Sequence, residues 1–456
     1  MNPDIFREYD IRGVVPAELN EESVRLLGKA FSRYFAQNNA TKIAIGYDAR
    51  SSSTLFERII VEVLGNHGCK VFRLGMIPTP VLSYALFNNN FHGGIMVTGS
   101  HNPPDHNGFK VSLGSHTLFG DEVQQIRLLA EANNFVQSKA IQAVCFDQTP
   151  AYISDVVKQI RPLKKGLRLV LDAGNGSGGQ VAVKTLRLLG AEVIELFCTP
   201  DSTFPNHSPD PADPKNLVDL IKTVKNENVD FGIALDGDAD RITAIDNTGR
   251  IIWGDLLTAI FAREVLNEYP GATVIGEVKC SNLLFDEVEA LGGNAIMCKA
   301  GHSVIKAELQ KTDAVLAGEM SGHIFFADRY FGFDDAIYTA TRLMELVANS
   351  DSRLSEIVDS FPKTFTTDEI RIQCPESLKI PVTQAIINIY KNQCEIKTID
   401  GARLEFEFGW ALVRPSNTQA LIILRFEADS KSKLDSLRTQ IESQVRAAIN
   451  QFSHSE

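Results

Sequence analysis

A chain of 456 residues is too long for one hydrophobic core, and at roughly 150 residues per domain it divides into three or four. Its 44% hydrophobic and 22% charged residues exclude wholesale disorder and a fibrous structure. A net charge of −12 gives an acidic surface that repels nucleic acid and anionic membrane, so an anionic ligand must meet locally concentrated Arg and Lys.

From the N-terminus, Met1 to Arg12 mixes acids and bases and lacks the apolar stretch of a secretory signal. Val24, Leu27, Phe31 and Tyr34 then recur three or four apart and, with Asn20 as N-cap, predict an amphipathic helix over 20–36. A strand at 43–47, a helix at 55–64 and strands at 70–74 and 94–98 follow, the alternation of an α/β sheet with crossover helices. The rhythm restarts at Leu167 (LRLVLDAGNGSGG), Phe231 (FGIALDGDADR), Thr273 (TVIGEVK) and Ala314 (AVLAGEMSGH), each an apolar strand followed by Asp or Glu with Gly. Repeated α/β units would give this pattern, and their ligands sit beyond the carboxyl ends of the strands. After Pro362 the order becomes strand (369–373), helix (381–390), strands (403–408 and 420–426) and a helix marked by Leu434, Leu437, Ile441, Val445 and Ala448. That is a small α+β domain joined by a linker near 360–366. No run of 18 apolar residues predicts a transmembrane helix, and seven scattered cysteines without a C-x-x-C pair favour a reducing compartment; the chain is expected to be cytoplasmic.

The strand at 94–98 empties into TGSHNPPDHNGFK. Gly99 is expected to free the backbone and the two prolines to stiffen the far side of the turn, presenting Ser100 as a nucleophile on a tight loop. The hydrolase elbow is not matched, since Thr98 and Asn102 occupy its glycine positions. His101 is adjacent, and adjacent side chains usually diverge, so no Ser-His dyad follows from order alone. Lys110 is the nearest cation, suited to steadying phosphate charge and, with a pKa lowered by neighbouring cations, to sharing proton transfer. An ordinary polar Asn-Gly turn is the alternative.

Gly174, Gly176 and Gly179 satisfy G-x-G-x-x-G after a strand, with Glu195 about twenty residues on; an NAD-dependent oxidoreductase is the competing function this raises. A Walker A loop is excluded by Gln180 in the lysine position. In DGDADR, Asp236, Asp238 and Asp240 alternate after a buried strand. At ~4 Å each carboxylate pair repels by ~4 kcal/mol at an effective dielectric of 20, so the turn calls for a hard cation, Mg²⁺ best, or for raised pKa values. An EF-hand fails at Arg241 and Asn247; a solvated acidic turn is the other reading. GEMSGH places Glu319 and Ser321, suited to sugar hydroxyls, beside His323, which suits proton transfer unless it is a satisfied turn histidine. Arg414-Pro415-Ser416-Asn417-Thr418 concentrates donors for a phosphate dianion, although an isolated Arg-Pro-Ser turn is more often surface.

Together, TGSHNPPDHNGFK, DGDADR, GEMSGH and RPSNT, in this order over nearly the whole chain, resemble the α-D-phosphohexomutase superfamily. YDIRG at 9–13 and FGFDD at 331–335 are also similar to it, and GEMSGH is nearest its phosphomannomutase/phosphoglucomutase branch. The resemblance implies three similar α/β domains with mixed sheets (1–147, 148–250 and 251–362) plus a smaller C-terminal α+β domain (363–456), arranged around a central cleft to which each contributes a loop. It further implies a phosphorylated Ser100 that, with Asp236, Asp238 and Asp240, binds Mg²⁺. Glu319 and Ser321 would take the sugar, and Arg414, Ser416, Asn417 and Thr418 the non-reacting phosphate. Tyr9, Arg12, His101, Lys110, Arg241, Lys279, His302 and His323 would line the site, with Lys110 and His323 matching positions suspected of acid and base roles. The implied reaction moves a phosphoryl group between the 1- and 6-positions of a hexose, mannose or glucose, through a hexose 1,6-bisphosphate. Phosphoglucosamine is the nearest alternative substrate, and the chain is expected to be a monomer or weak oligomer. A catalytically silent sugar-phosphate binder is the remaining class. Ala239 departs from the family's frequent glycine and would be strained by ~1–2 kcal/mol if its φ were positive.

Overall fold

The computed structural model describes residues 1–132, 140–416 and 419–453. Among them the strands form four sheets. The first is mixed, in the order Ile11–Val14, His106–Leu113, Gly93–Val97, Lys42–Tyr47, Lys70–Met76 and Val144–Cys145, with His116–Thr117 paired to His106–Leu113. Its packing helix Glu21–Gln37 starts where Asn20 accepts from the amides of Glu22 and Ser23 while Ser23 answers in a capping box, worth about 1 kcal/mol. That helix buries Val24, Leu27, Phe31, Tyr34 and Phe35.

The second sheet runs Ile251–Ile252, Ile242–Asp246, Phe231–Leu235, Arg168–Asp172 and Glu192–Leu196, so it reaches just past residue 250. The third runs Asn294–Cys298, Thr273–Glu277, Leu316–Gly318 and Ile324–Phe326. The fourth is antiparallel: Phe365–Thr366, Leu421–Ala428, Gly409–Pro415, Ala402–Phe406 and Glu395–Lys397, with Ile370–Gln373 also on Leu421–Ala428. Its strand Gly409–Pro415 has no counterpart in the sequence reading, because Gly409 and Pro415 punctuate its ends like turn residues. Trp410, Ala411, Leu412 and Val413 are nonetheless wholly buried there.

One device recurs in all four units. Gly93–Val97 returns antiparallel as His106–Leu113, Phe231–Leu235 as Ile242–Asp246, Leu316–Gly318 as Ile324–Phe326, and Gly409–Pro415 as Leu421–Ala428. Each motif loop is thus the connection of an antiparallel pair whose strands are buried, which fixes the loop's two ends where the paired strands stop.

One apolar core runs through the first three units, and the first unit keeps a second core around Phe31, Phe35, Ile43 and Phe109. The fourth unit has its own core and meets the third through a small apolar cluster of Val278, Trp410 and Leu412 and through buried polar groups. Arg403 donates to the carbonyls of Val278 and Cys280 and lies 3.8 Å over Trp410, Arg425 pairs with Asp255 at 3.2 Å, and Lys279 with Glu369 at 3.0 Å. Among the described residues no helix is long and apolar enough to cross a membrane.

Candidate active site

Ser100 sits just past the buried strand Gly93–Val97 with φ 48°, so the left-handed residue of this turn is the serine itself and not Gly99. Gly99 is required for space: a Cβ there would lie 2.5 Å from the Arg50 guanidinium carbon. Holding a non-glycine residue left-handed costs ~1–2 kcal/mol, and a hydrogen-bond lattice offsets it. Arg50, wholly buried, donates to the carbonyls of Ser100 (2.8 Å), Asn102 (2.6 Å) and His106 (2.9 Å), and also to that of Pro103. Asp48 accepts from Arg50 Nε (3.1 Å), Thr98 Oγ1 (2.8 Å) and the Gly99 amide (3.0 Å). Sequence reading passed over Asp48 and Arg50, although Lys42–Tyr47 followed by Asp repeats the strand-then-acid pattern seen elsewhere.

The aspartate turn folds on its own carboxylate: Asp236 Oδ1 accepts from the amides of Asp240 (3.0 Å) and Arg241 (3.2 Å). Ala239 has φ 57°, so the anticipated strain is present. One oxygen from each of Asp236, Asp238 and Asp240 falls within 4.8 Å of the others, all three side chains being buried. Ser100 Oγ donates to Asp236 Oδ2 at 2.7 Å, across 136 residues of sequence. The two loops touch backbone to backbone as well, since a Cβ on Gly237 would lie 2.4 Å from the Ser100 carbonyl oxygen.

Lys110 donates to Asp238 Oδ2 at 2.8 Å and also to Asp240, while Thr79 Oγ1 donates to Asp238 Oδ2 at 2.6 Å. Burial works against the Lys110 ammonium, but the carboxylates of Asp238 and Asp240 outweigh it and hold its pKa above the ordinary value. The expected lowering is therefore corrected: the nearest groups are acids, not cations. Burial and then the charges of Asp240 and Asp238 push Asp236 well above the usual carboxylate range. Asp238 Oδ1 and Asp240 Oδ1 are buried with no hydrogen-bond partner among the described residues. Closely spaced hard oxygens, two of them unpartnered, fit a hard divalent cation.

His101 and Ser100 do not diverge: Nδ1 lies 3.2 Å from Ser100 Oγ. Burial, with Arg241 and Arg12 adding repulsion, drives the His101 pKa well down, so this imidazole is neutral. Arg12 pairs with Asp10 at 2.7 Å and donates to the Gly99 carbonyl (3.2 Å) and Asn102 Oδ1 (3.1 Å). Arg241 Nε donates to His323 Nε2 at 2.9 Å, and His323 stacks on His302 at 5.2 Å.

A second group of expected residues gathers around Glu319. Its Oε1 accepts from the Gly301 amide (2.8 Å) and Oε2 from Ser321 Oγ (2.8 Å); burial raises its pKa, but His323 and Lys279 together win and lower it. Glu277 beneath is pushed up to about 7 by burial. Tyr9 donates to the Ala300 carbonyl at 2.5 Å, the Ala300 amide donates to Asp400 at 3.2 Å, and Arg414 Nε donates to Asp400 at 2.6 Å, linking the first, third and fourth units. Lys279, paired with Glu369, and Ser416, whose Oγ accepts from the Gln419 amide at 3.2 Å, belong to this side. Asn417 and Thr418 lie outside the described residues.

The glycines at 174–179 do not form a nucleotide cradle. A Cβ on Gly176 would lie 2.5 Å from the Gly237 carbonyl oxygen, and one on Gly178 would lie 2.4 Å from Ala239 Cβ. The Ser177 amide donates to the Gly237 carbonyl at 2.9 Å. These glycines let the strand-to-helix turn support the aspartate turn, and the space a pyrophosphate needs is filled by backbone.

Four family models match in order: phosphoglucomutase/phosphomannomutase alpha/beta/alpha domain I over residues 3–137, domain II over 150–249, domain III over 253–365, and the C-terminal domain over 369–444. A phosphoglucomutase of Neisseria meningitidis is 42% identical over 98% of each chain. A phosphomannomutase/phosphoglucomutase of Pseudomonas aeruginosa is 40% identical over 97% of this chain and 96% of its own. The solved structure of a phosphoglucomutase/phosphomannomutase family protein from Burkholderia thailandensis superposes with a TM-score of 0.92 at 37% identity, covering 98% of this chain and 97% of that one.

Proposed function

The chain belongs to the phosphoglucomutase/phosphomannomutase family of the α-D-phosphohexomutase superfamily, and from that premise we propose that it interconverts hexose 1-phosphates and hexose 6-phosphates of glucose and mannose through phosphoSer100. The observation that carries the mechanism is the 2.7 Å hydrogen bond from Ser100 Oγ to Asp236, which puts a nucleophile-bearing loop against a cation-seeking turn. Phosphoryl transfer depends chiefly on positioning and on stabilising charge, and both are provided.

The bond from phosphorus to Ser100 Oγ breaks as one to the sugar hydroxyl forms. His323 Nε2, which accepts from Arg241 in the free site, takes the proton of that hydroxyl. The departing Ser100 Oγ takes a proton from the Lys110 ammonium and becomes the neutral hydroxyl that donates to Asp236; in the second half-reaction Ser100 returns that proton to Lys110 and His323 returns its own to the sugar oxygen. Lys110, held charged by two aspartates in the free site, also serves as an electrostatic anchor and Arg12 as a loop contact. Mg²⁺, held by Asp236, Asp238, Asp240 and an oxygen on Ser100, would offset charge on the transferring group. The resulting hexose 1,6-bisphosphate turns over, its second phosphate on Arg414 and Ser416, with Glu319 and Ser321 reading sugar hydroxyls.

Glucose and mannose differ at C2 alone, so a carboxylate that reads the 3- and 4-hydroxyls accepts both. Assayed with Mg²⁺ and hexose 1,6-bisphosphate, the two 1-phosphates are expected to differ in kcat/KM by less than about 100-fold. A larger preference, or faster turnover of glucosamine phosphate than of either, would overturn the dual assignment. Arg50→Lys is expected to lower kcat about 100-fold by misplacing Ser100, with KM within about threefold of wild type. A lysine cannot serve the several carbonyls that the planar guanidinium spans. Unchanged kcat in that variant would remove Arg50 from the positioning of the loop.

A further inference from the structure

Asp334, within FGFDD, is 1% exposed and lies against two of the candidate site's imidazoles. Its Oδ2 lies 3.3 Å from His302 Nδ1 and 3.2 Å from His323 Nδ1, and the two rings stack with an interplanar angle of 18°. All three atoms are buried and none has an aligned hydrogen-bond partner among the described residues, so these close approaches are the nearest polar contacts they have, Asp240 Oδ1 lying farther from His323 Nδ1 at 3.8 Å. On the far side of the ring, His323 Nε2 accepts from Arg241 Nε at 2.9 Å. A neutral imidazole whose Nε2 accepts carries its proton on Nδ1, the atom that faces Asp334.

The carboxylate is itself anchored. Lys306 Nζ donates to Asp334 Oδ1 at 3.1 Å and to Thr117 Oγ1 at 3.0 Å, so a residue of the first unit helps to fix an acid of the third. The nearby Asp240 could in principle make this cluster a second metal site with His323 and Asp334. Asp240 already belongs to the aspartate turn, however, and Lys306 offsets the charge of Asp334, which leaves this cluster little need of a cation of its own.

We propose that Asp334 is a positioning residue whose single oxygen Oδ2 holds both His302 and His323 in the Nδ1–H tautomer, so that the lone pair of His323 stays on Nε2, where Arg241 Nε engages it in the free site and the substrate hydroxyl takes that place in the complex. The catalytic part of this inference rests on the mutase reading of the same site. Asparagine at this position presents an amide that cannot accept, or a single oxygen that cannot be held in place by Lys306 as a charged pair, and the imidazoles lose their common acceptor.

The test is nitrogen NMR of the full-length protein labelled at histidine, with His323→Gln and His302→Gln used to assign the signals, alongside steady-state kinetics. Wild-type protein is expected to show both rings protonated at Nδ1. Asp334→Asn is expected to shift His323 toward the Nε2–H form and to lower kcat about 10³-fold, with KM within about threefold. An Nε2–H signal for His323 in the wild type overturns the proposal whether or not the variant folds, and so does a folded variant with unchanged tautomers or wild-type kcat. A wild-type protein without turnover on any hexose phosphate would overturn the mutase reading instead, and the tautomer measurement stands apart from that result.

Discussion

Ser100→Ala is expected to abolish phosphoryl transfer, lowering kcat by at least about 10⁴-fold, because nothing else in the site replaces a covalent nucleophile. Ser100 Oγ donates its proton in the hydrogen bond to Asp236, so His101 Nδ1 meets that oxygen as an N–H donor without a lone pair, and Lys110 is held as an ammonium; neither neighbour offers an equivalent attacking atom. The fold is expected to survive: the loop is held through its carbonyls by Arg50, and the lost contact is one hydroxyl donor to Asp236. Leaving that buried oxygen unsatisfied costs about 1–3 kcal/mol, which a chain of this size tolerates. Intact-mass measurement after incubation with hexose 1,6-bisphosphate supplies the check. Wild-type protein gains the mass of one phosphoryl group and the alanine variant none. A variant that still gains that mass, or turns over at more than about a thousandth of the wild-type rate, would transfer the role to another residue. A silent sugar-phosphate binder would show no phosphorylated fraction in either protein.

The second large effect concerns the aspartate turn. Removing divalent cations with a chelator is expected to stop turnover, and added Mg²⁺ to restore it in the wild type but not in Asp236→Asn. Stability should move the other way. Without a cation, three buried carboxylates share one small volume, and burial with mutual repulsion pushes Asp236 far up. Asparagine removes one of those charges yet keeps an oxygen for the amides of Asp240 and Arg241. The metal-free variant is therefore expected to melt about 5 °C above the metal-free wild type, while Mg²⁺ raises the melting temperature of the wild type only, in proportion to occupancy. Equal Mg²⁺ shifts in both proteins, or turnover in chelator, would contradict the assignment. The sign separates an electrostatic role from a structural one, since loss of a merely structural aspartate would lower stability with or without Mg²⁺.

Legibility in the sequence differs from residue to residue. The strands carrying the site are buried on both faces and so read as apolar runs, as Phe231–Leu235 does. Asn20 announces its helix because capping is local chemistry. Arg50 is not legible, for its partners are carbonyls some fifty residues away, and a backbone acceptor leaves no signature in sequence. Gly99 is needed for its closeness to the Arg50 guanidinium, and the positive φ falls on Ser100 instead, a placement that the residue types alone would reverse.

By itself the sequence determined the donor inventory and its order: a serine loop, an alternating acidic turn, a Glu-Ser-His turn and an arginine turn, each following an apolar strand. Those are properties of neighbouring residues, set by covalent spacing and by which runs must leave water. Only the tertiary structure decided which loops meet, that Lys110 is locked between two aspartates, that the glycines at 174–179 support the acidic turn, and that one carboxylate faces two imidazoles. Charge state, tautomer and close approach depend on groups that lie a few ångströms apart in space and far apart along the chain, and no local pattern encodes that field.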